Sequence, residues 1–292
     1  MSLRLETLQV ARLAPKLLGG ATGSVATYLQ EQFNEDGGAR DRDGVSDLYY
    51  TVFTLDSLSA LQAATPEHTV QFLRSFGDGG ELDLVHLACL ARCWSGMPHD
   101  EPSPSLANSI ADNLERFRSL DGGYNNKPGN QHGTVYHAFL AFGAHQDLGR
   151  TCPDTDALTS SLESLRSKDG AFANTPGLPL GVTTVTAAAV TLLRHLDHSV
   201  DASLGQWLLA RLHGGGGFLA APQAPMPDLL STATALHALS GMQVDFAPLK
   251  EPCLDFIDTL WTGRAFCGSW GDDVTDSEYT FYGLLALGHL SL

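Results

Sequence analysis

Residues 214–239 read GGGGFLAAPQAPMPDLLSTATALHAL, and their plan organises the rest of the chain. A glycine run before an aromatic residue predicts a sharp turn, because glycine adopts positive φ without a steric cost. A proline-rich loop follows, and Asp228 then begins a segment of small and apolar residues with no further charged residue as far as Leu239. Such a segment predicts a buried helix. This order of turn, loop and buried helix recurs about six times.

A glycine marker identifies each repeat, at a spacing of roughly 45 residues. The markers are DGGAR (36–40), DGGEL (78–82), DGGYN (121–125), DGAFA (169–173), GGGGF (214–218) and CGSWG (267–271). An amphipathic segment precedes each marker, as in IADNLERFRSL (110–120), and its apolar spacing predicts a helix with one solvated face. A segment with little charge follows each marker, as in VTTVTAAAVTLLRHL (182–196). We expect the glycines to be helix C-caps.

One half-solvated helix and one buried helix cannot cover their own apolar surface, so the repeats must stack on each other. The last repeat is as apolar as the middle ones and has no polar capping face, which favours a closed ring. The predicted fold is all-α, an (α/α)6 toroid of about six helical hairpins with buried helices inside and amphipathic helices outside. We expect one domain over residues 1–292, with an N-terminal extension or first helix at 1–24. The repeats fall roughly at 25–62, 66–97, 104–149, 155–198, 201–242 and 248–292.

Composition narrows the classes of function. A formal net charge of −16 disfavours binding to nucleic acid and to anionic membrane surfaces. No stretch approaches the roughly 20 apolar residues of a membrane span. Arg4, Glu6 and Arg12 interrupt the first residues, so they do not resemble a secretory signal. The five cysteines form no CxxC pair and their odd number does not suggest a disulfide framework, so we expect a cytoplasmic protein.

The repeats over residues 25–292 resemble those of protein prenyltransferase β subunits and of squalene and terpene cyclases. The matching stretches are PGNQHGTVYHAFLAF (128–142), PDLLSTATALHAL (227–239) and DSEYTFYGLLALG (276–288). The resemblance implies the toroid fold and an isoprenoid or other apolar small-molecule ligand. For the transferases it also implies a zinc ion, a diphosphate pocket and a partner subunit built of helical repeats.

The zinc pattern of the transferases is degenerate in this chain. The resemblance implies Asp-x-Cys at the start of the fifth buried helix and His at the start of the sixth. Asp228 matches, but Leu230 stands at the Cys position and Tyr279 at the His position. Catalytic zinc usually has three protein ligands of N, S or O type, and one remains here. We therefore predict no zinc and no other cofactor.

The other functional motifs of the family are also incomplete. Pro222 and Pro225 stand where the transferases carry a basic pair, and Gly181 stands at the position of their pocket His. The cyclases protonate their substrate with an Asp-x-Asp-Asp motif, which this chain lacks. The nearest sequence, Gly271–Asp273, reads as a solvated turn.

The starts of the buried helices should lie around one rim of the toroid, because the repeats are equivalent. Asp47, Asp83, Asp228 and Asp276 begin four of them, and His132/Gly133 and Gly181/Val182 begin the other two. Helix N-termini can bind anions. Asp is favoured there as an N-cap, worth about 1 kcal/mol over Ala, and capping alone predicts one carboxylate at each helix start. Both interpretations stay open from the sequence.

Aromatic residues cluster near these helix starts and predict an apolar ligand pocket, although large rings could equally fill the toroid. The predicted pocket residues are Asp47, Tyr49, Tyr50, His132, Tyr136, His137, Asp228, Tyr279 and Tyr282. The candidate catalytic residues are Asp228, Asp276 and Tyr279. A weaker metal candidate is the set His86, Cys89 and Cys93, whose spacing puts them on one helical face. Packing explains buried cysteines as well.

Three functions fit these observations. The first is a prenyltransferase-like protein with an apolar central cavity that handles an isoprenoid without zinc; as an enzyme it would be a transferase or a cyclase. The second is a non-catalytic toroid that binds an apolar ligand or a partner protein. The third is a carbohydrate-active toroid that uses paired carboxylates at helix ends, with Asp47, Asp83, Asp228, Asp276 and Glu278 as candidates.

Overall fold

The computed structural model of the chain describes residues 1–97 and 102–292. Two short helices come first, α1 (Leu3–Ala11) and α2 (Pro15–Leu18). Six helices form an outer layer: α3 (Thr22–Gln30), α5 (Thr69–Ser75), α7 (Pro104–Glu115), α9 (Thr155–Ser164), α11 (Ser203–Leu209) and α13 (Lys250–Thr259). Six form an inner layer: α4 (Leu48–Ala60), α6 (Leu84–Ser95), α8 (Val135–Asp147), α10 (Thr183–His195), α12 (Leu229–Gly241) and α14 (Ser277–Leu290). One small hairpin pairs β1 (Phe218–Leu219) with β2 (Pro227–Asp228).

The inner helices close into a ring. Each packs on the next in the order α4, α6, α8, α10, α12 and α14, and α14 packs back on α4. The predicted all-α toroid is therefore confirmed. None of the helices in the described residues is long and apolar enough to cross a membrane.

The outer helices bury one face and the inner helices bury most of their surface. This difference matches the amphipathic sequences of the outer helices and the apolar sequences of the inner ones. In outer helix α7 the buried residues are Ala107, Ile110, Ala111 and Leu114, a single stripe at helical spacing. Inner helix α12 buries residues on nearly every side, because it packs on both neighbouring inner helices and on the outer layer. The apolar segments after the markers are thus the walls of the ring.

The marker glycines have a different role from the one expected. Gly122 has a φ of 87°, but α7 already ends at Glu115, so Gly122 is not its C-cap. It lies in a turn that a bridge between Arg118 and Tyr124 closes, and Asp121 Oδ1 accepts a hydrogen bond from the Gly123 backbone at 3.1 Å. The C-cap prediction was wrong because the chain forms a short antiparallel turn after the outer helix before it enters the inner one.

Helix α1 closes one end of the ring, and we call it the floor. It packs on α14, α4 and α8 near their C-terminal ends. Arg4 on the floor pairs with Asp56 of α4 at 2.8 Å, and Glu6 pairs with Arg194 and His195 of α10 at 3.0 and 2.6 Å. The opposite end, at the N-termini of the inner helices, is called the rim.

Candidate active site

A central cavity of about 360 Å³ lies inside the ring, with Thr7 of the floor at one end. One wall is made of small residues, among them Val185, Ala187 and Ala188 of α10. The other walls carry six aromatic rings: Tyr49, Phe53, Tyr136, Phe139, Phe281 and Tyr282. Small side chains facing large ones leave the space between them, and most of the lining surface is apolar.

Four of these aromatic rings, those of Tyr49, Phe53, Phe281 and Tyr282, contact each other edge to face or tilted. The centroids of Tyr49 and Phe53 lie 4.9 Å apart, and those of Phe53 and Tyr282 lie 5.6 Å apart. These spacings are typical of favourable aromatic pairs, so the rings hold one another in place. The wall is therefore preorganised to present aromatic surface to whatever occupies the cavity.

Three of the predicted pocket residues, Tyr49, Tyr136 and Tyr282, line the cavity. Six others do not line it: Asp47, Tyr50, His132, His137, Asp228 and Tyr279. The physical reason is helix geometry. The caps Asp47 and Asp228 bind the backbone of their own helices, and Tyr50, His137 and Tyr279 are the third residues of theirs. The second residue of the helix, as in Tyr49 and Tyr136, is the one that faces the interior of the ring.

Glu278 lines the cavity, and the sequence analysis considered it only as a candidate acid of a carbohydrate-active toroid. It is the only carboxylate among the described residues that line the cavity. The hydroxyl of Tyr49 donates a hydrogen bond to Glu278 Oε1 at 2.7 Å. Burial raises the pKa of Glu278 above its usual 4.5, and the nearby Asp276 charge raises it further. The sequence contains a pattern that indicates this position. Phe281 and Leu285 follow Glu278 by three and seven residues, so the three side chains lie on one face of a helix.

The rim aspartates are N-caps. Asp47 accepts hydrogen bonds from the backbone N–H groups of Tyr49 and Tyr50, and Asp83 accepts one from His86. Asp228 and Asp276 cap α12 and α14 in the same way. Capping therefore accounts for the carboxylate at each of these four helix starts.

The two remaining inner helices begin differently from one another. The third inner helix is capped by Thr134, whose hydroxyl accepts from the His137 backbone at 3.0 Å. The predicted start at His132/Gly133 was therefore two residues early, because His132 belongs to the loop and its side chain is exposed. Val182, at the start of the fourth, makes no side-chain cap.

Cations on the rim are already held by pairs of carboxylates. His86 lies between Asp83 and Asp47, at 2.8 and 3.3 Å, and the hydrogen bond that it donates to Asp47 is the main cause that raises the pKa of His86 to about 9. Arg42 binds both Asp272 and Asp276 at 2.8 Å. The rim therefore offers no free positive charge from these two groups to an anionic ligand.

The residues at the transferase zinc positions do not fit a zinc ion. Ser231 donates to both carboxylate oxygens of Asp228, from its backbone N–H at 2.7 Å and from its hydroxyl at 2.8 Å. Leu230 has no lone pair and lines the apolar cavity. The ring of Tyr279 packs over Gly268 and beside Arg42. This donor set leaves a single potential ligand, Asp228, and the described residues contain no group of three or more His, Cys, Asp or Glu side chains arranged for a metal.

His86, Cys89 and Cys93 share a helix but do not converge. The His86 ring points to the rim carboxylates, whereas Cys93 donates a weak hydrogen bond to the Leu48 carbonyl at 3.9 Å. Burial raises the pKa of both thiols, which keeps them protonated and poor metal ligands. The two cysteines pack in the wall of the ring.

The floor end of the cavity carries charge that the sequence analysis did not find. Arg92 of α6 lines the cavity, and its Nε donates to Asp56 at 2.7 Å. Asp56 also accepts from Arg4, so one buried carboxylate serves two arginines. His237 lines the same end, and burial lowers its pKa to about 4, so it is neutral near pH 7.

A closed ring of paired helices around an apolar lumen defines an α-α toroid. The model of the prenyltransferase α-α toroid domain matches residues 21–91, 87–179 and 182–286, and the chain belongs to this family. A search of curated proteins found no match.

Solved structures with the same fold include terpene cyclases and a protein prenyltransferase. A variant of the type II terpene cyclase MstE from Scytonema, in complex with geranylgeranyl dihydroxybenzoate, is 12% identical with a TM-score of 0.64 over 95% of this chain and 97% of that chain. The apo form of the same cyclase is 12% identical with a TM-score of 0.61, over 94% and 98% of the two chains. The Candida albicans protein geranylgeranyltransferase-I, in complex with GGPP, is 15% identical with a TM-score of 0.54. It matches 64% of this chain and 62% of that chain. At these identities the likeness shows the fold.

Proposed function

We propose that the protein binds an isoprenoid chain in its central cavity and, without zinc, isomerises or cyclises it by protonation from Glu278. The observation that carries this proposal is an apolar, aromatic-lined cavity with one carboxyl group in its wall. The family of the chain and the ligands named for its structural relatives support the isoprenoid class.

The size of the cavity limits the length of the chain. One non-hydrogen atom in a liquid occupies about 30 Å³, the share of a water molecule. A volume of about 360 Å³ therefore has room for about a dozen such atoms. We expect ten-carbon ligands to fit, and chains of fifteen and twenty carbons to be too long.

The chemistry at Glu278 needs no co-reactant. The protonated carboxyl donates its proton to a substrate C=C bond, whose π electrons form the new C–H bond and leave a carbocation. Tyr282 and Phe53 present π surface that stabilises such a cation. A carbon next to the cation then returns a proton to the Glu278 carboxylate, so the product is an isomer of the substrate. The raised pKa of Glu278 favours the protonated form that begins the cycle.

Electrostatics at the rim favours this chemistry over diphosphate transfer. Two like charges about 5 Å apart repel by roughly 3 kcal/mol at an effective dielectric of 20. Asp47, Asp83 and Asp276 all lie at the rim, and the cations beside them are already paired. Arg42 and His86 offset two of the four carboxylates Asp47, Asp83, Asp272 and Asp276, so about two negative charges remain at the rim. We therefore expect neutral or weakly charged isoprenoids.

Binding tests the first half of the proposal. Geraniol, farnesol and geranylgeraniol carry ten, fifteen and twenty carbons with one head group, so thermal shift and native mass spectrometry compare length alone. We expect geraniol to bind and raise the melting temperature, and the two longer alcohols to do neither. If none of the three binds, the isoprenoid proposal is wrong.

Turnover tests the second half. The wild-type protein in heavy water should convert a bound alcohol to deuterium-labelled isomers visible by gas chromatography and mass spectrometry. Glu278→Gln should abolish conversion and keep binding, whereas Glu251→Gln, the same change on the exposed side of α13, should leave both unchanged. Binding without any conversion by the wild-type protein would instead favour the non-catalytic toroid.

Zinc independence has its own test. A chelator should not change turnover, and metal analysis should find no stoichiometric zinc. Zinc that disappears in Asp228→Ala would contradict this part of the proposal. A helical-repeat partner subunit and a cytoplasmic location stay predictions, which co-purification and cell fractionation would test.

A further inference from the structure

Arg92 is the one guanidinium among the described residues that line the central cavity. Its Nε atom is engaged by Asp56, but Nη1 and Nη2 have no hydrogen-bond partner among the described residues. The side chain is 21% exposed, and Arg92 also lines the adjoining small cavity beside α1 and α8. Two donor groups of a half-buried arginine therefore face internal space.

The structural role of Arg92 explains its charge and the hydrogen bond of Nε, but it does not explain the position of Nη1 and Nη2. A cation in the last turn of α6 is favoured by the helix dipole, and the pair with Asp56 offsets its burial. Neither requirement uses Nη1 and Nη2. Charged donors without a protein partner form strong, charge-assisted hydrogen bonds to anions, so these two groups can anchor an anion that enters the cavity.

The net charge at the floor end of the cavity favours a ligand with a single negative charge. Asp56 is shared by Arg4 and Arg92, so the three groups together carry one net positive charge. Asp147 is the other acidic group nearby; no ion pair joins it to Arg92 in the described part of the chain, and burial raises its pKa to about 6. Glu6 is itself neutralised by Arg194 and His195.

We propose that Arg92 forms a subsite for a carboxylate head group at the floor end of the cavity, and that the ligand is an isoprenoid carboxylic acid. This inference rests on the proposed function and adds the orientation of the substrate. A head group on Arg92 directs the hydrocarbon tail toward the rim. There Glu278, in the first turn of α14, meets the double bond farthest from the carboxylate.

The test compares geranic acid with geraniol, which share one carbon chain and differ in the head group. Calorimetry near pH 6, where about half of Asp147 is neutral, should show geranic acid binding about tenfold to a hundredfold more tightly, the range that charge-assisted hydrogen bonds provide. Geranyl diphosphate should bind more weakly than geranic acid, because its charge exceeds that of the subsite. Tighter binding of the diphosphate would overturn the carboxylate assignment.

Arg92→Gln should remove the preference for the acid and leave geraniol binding within about threefold, because the chain still occupies the same walls. Arg194→Gln is the matched control, since this arginine also pairs at the floor but does not line the cavity, and it should keep the preference. The wild-type comparison stands even if a variant fails to fold. If geraniol binds and geranic acid binds no more tightly, the subsite is wrong and the proposed function survives. If neither binds, both are wrong.

Discussion

The rim and the floor are both charged, but their charges depend on the fold in different ways. At the rim, Arg42 is 37% exposed and its partner Asp272 is 25% exposed, so water shares in their solvation. At the floor, Asp56 is 1% exposed and holds two arginines. A hydrated pair can lose one member at little cost, whereas a buried pair cannot. The rim can therefore vary in chemistry while the floor must be kept intact.

The largest effect is expected from removing the shared carboxylate of the floor. Asp56→Ala leaves Arg4 and Arg92 buried without a counter-ion, and we expect a loss of about 3–5 kcal/mol in the free energy of unfolding, measured with urea and circular dichroism. The control is Glu31→Ala, which breaks an exposed pair with Arg264 and should cost less than about 1 kcal/mol. Equal costs for the two variants would remove the distinction between the two ends.

The second prediction is that acid destabilises the floor. Burial lowers the pKa of His237 to about 4 and that of His289 to about 3, from about 6.5 in an unfolded chain. Between pH 6.5 and 4 the unfolded chain therefore binds more protons, so stability is full above pH 6.5 and falls as the pH drops. We expect each histidine to cost about 1.4 kcal/mol per pH unit within this window, measured by urea unfolding at each pH.

The acid effect should begin at the floor, and this distinguishes it from a uniform loss of stability in acid. Glu6 keeps its charge to lower pH, because the hydrogen bond from His195 lowers its pKa to about 2, so it loses its contribution only from about pH 4.5 downward. Hydrogen exchange at pH 5 should therefore show α1 losing protection before the rim. At the rim the raised pKa of His86 has the opposite sign: its contribution is full below pH 6.5 and disappears as the pH rises through about 9. Acid loosening of the rim first would contradict both assignments.

The helix caps of the rim depend on contacts between residues close in sequence, and the floor depends on contacts between distant ones. For this reason the sequence predicts these caps better than the floor. Asp228 and Asp276 were recognised as helix starts because capping is a local rule that relates a residue to its own next turn. The ring followed from the repeats for the same reason. The marker glycines were misassigned as C-caps, since a turn and a C-cap both use positive φ and only the intervening bridge tells them apart.

The floor could not be predicted, because its parts are distant in sequence. Arg4 and Asp56 lie in different helices, and nothing in either segment indicates that the first helix crosses the end of the ring. Arg92 reads as an ordinary basic residue in the last turn of a helix. Glu278 could have been found by following one helical face, but its hydrogen bond with Tyr49 joins residues at opposite ends of the chain. Ring closure creates the site, and closure is a tertiary event.

A rim variant should cost less than any change at the floor. Asp228→Ala removes the acceptor of two hydrogen bonds from Ser231, and we expect a loss of about 1 kcal/mol, the usual value of an N-cap. Asp228→Asn keeps an acceptor for the backbone N–H and should recover most of it. Chemical denaturation of the three proteins measures the order. A loss of several kcal/mol for Asp228→Ala would mean that this carboxylate has a role beyond the cap.

The smallest effect is a gain, at the one inner helix whose start lacks a side-chain cap. Val182 has extended φ and ψ of −118° and 138°, close to the −126° and 155° of Thr134, which caps the neighbouring inner helix. Val182→Thr keeps the branched shape and adds a hydroxyl that can accept from the first turn of α10, so we expect a gain of about 0.5–1 kcal/mol. Val182→Ala, which removes the branch without adding an acceptor, is the control and should destabilise. If Thr destabilises as much as Ala, packing outweighs capping at this position, and the equivalence of the helix starts around the rim fails at α10.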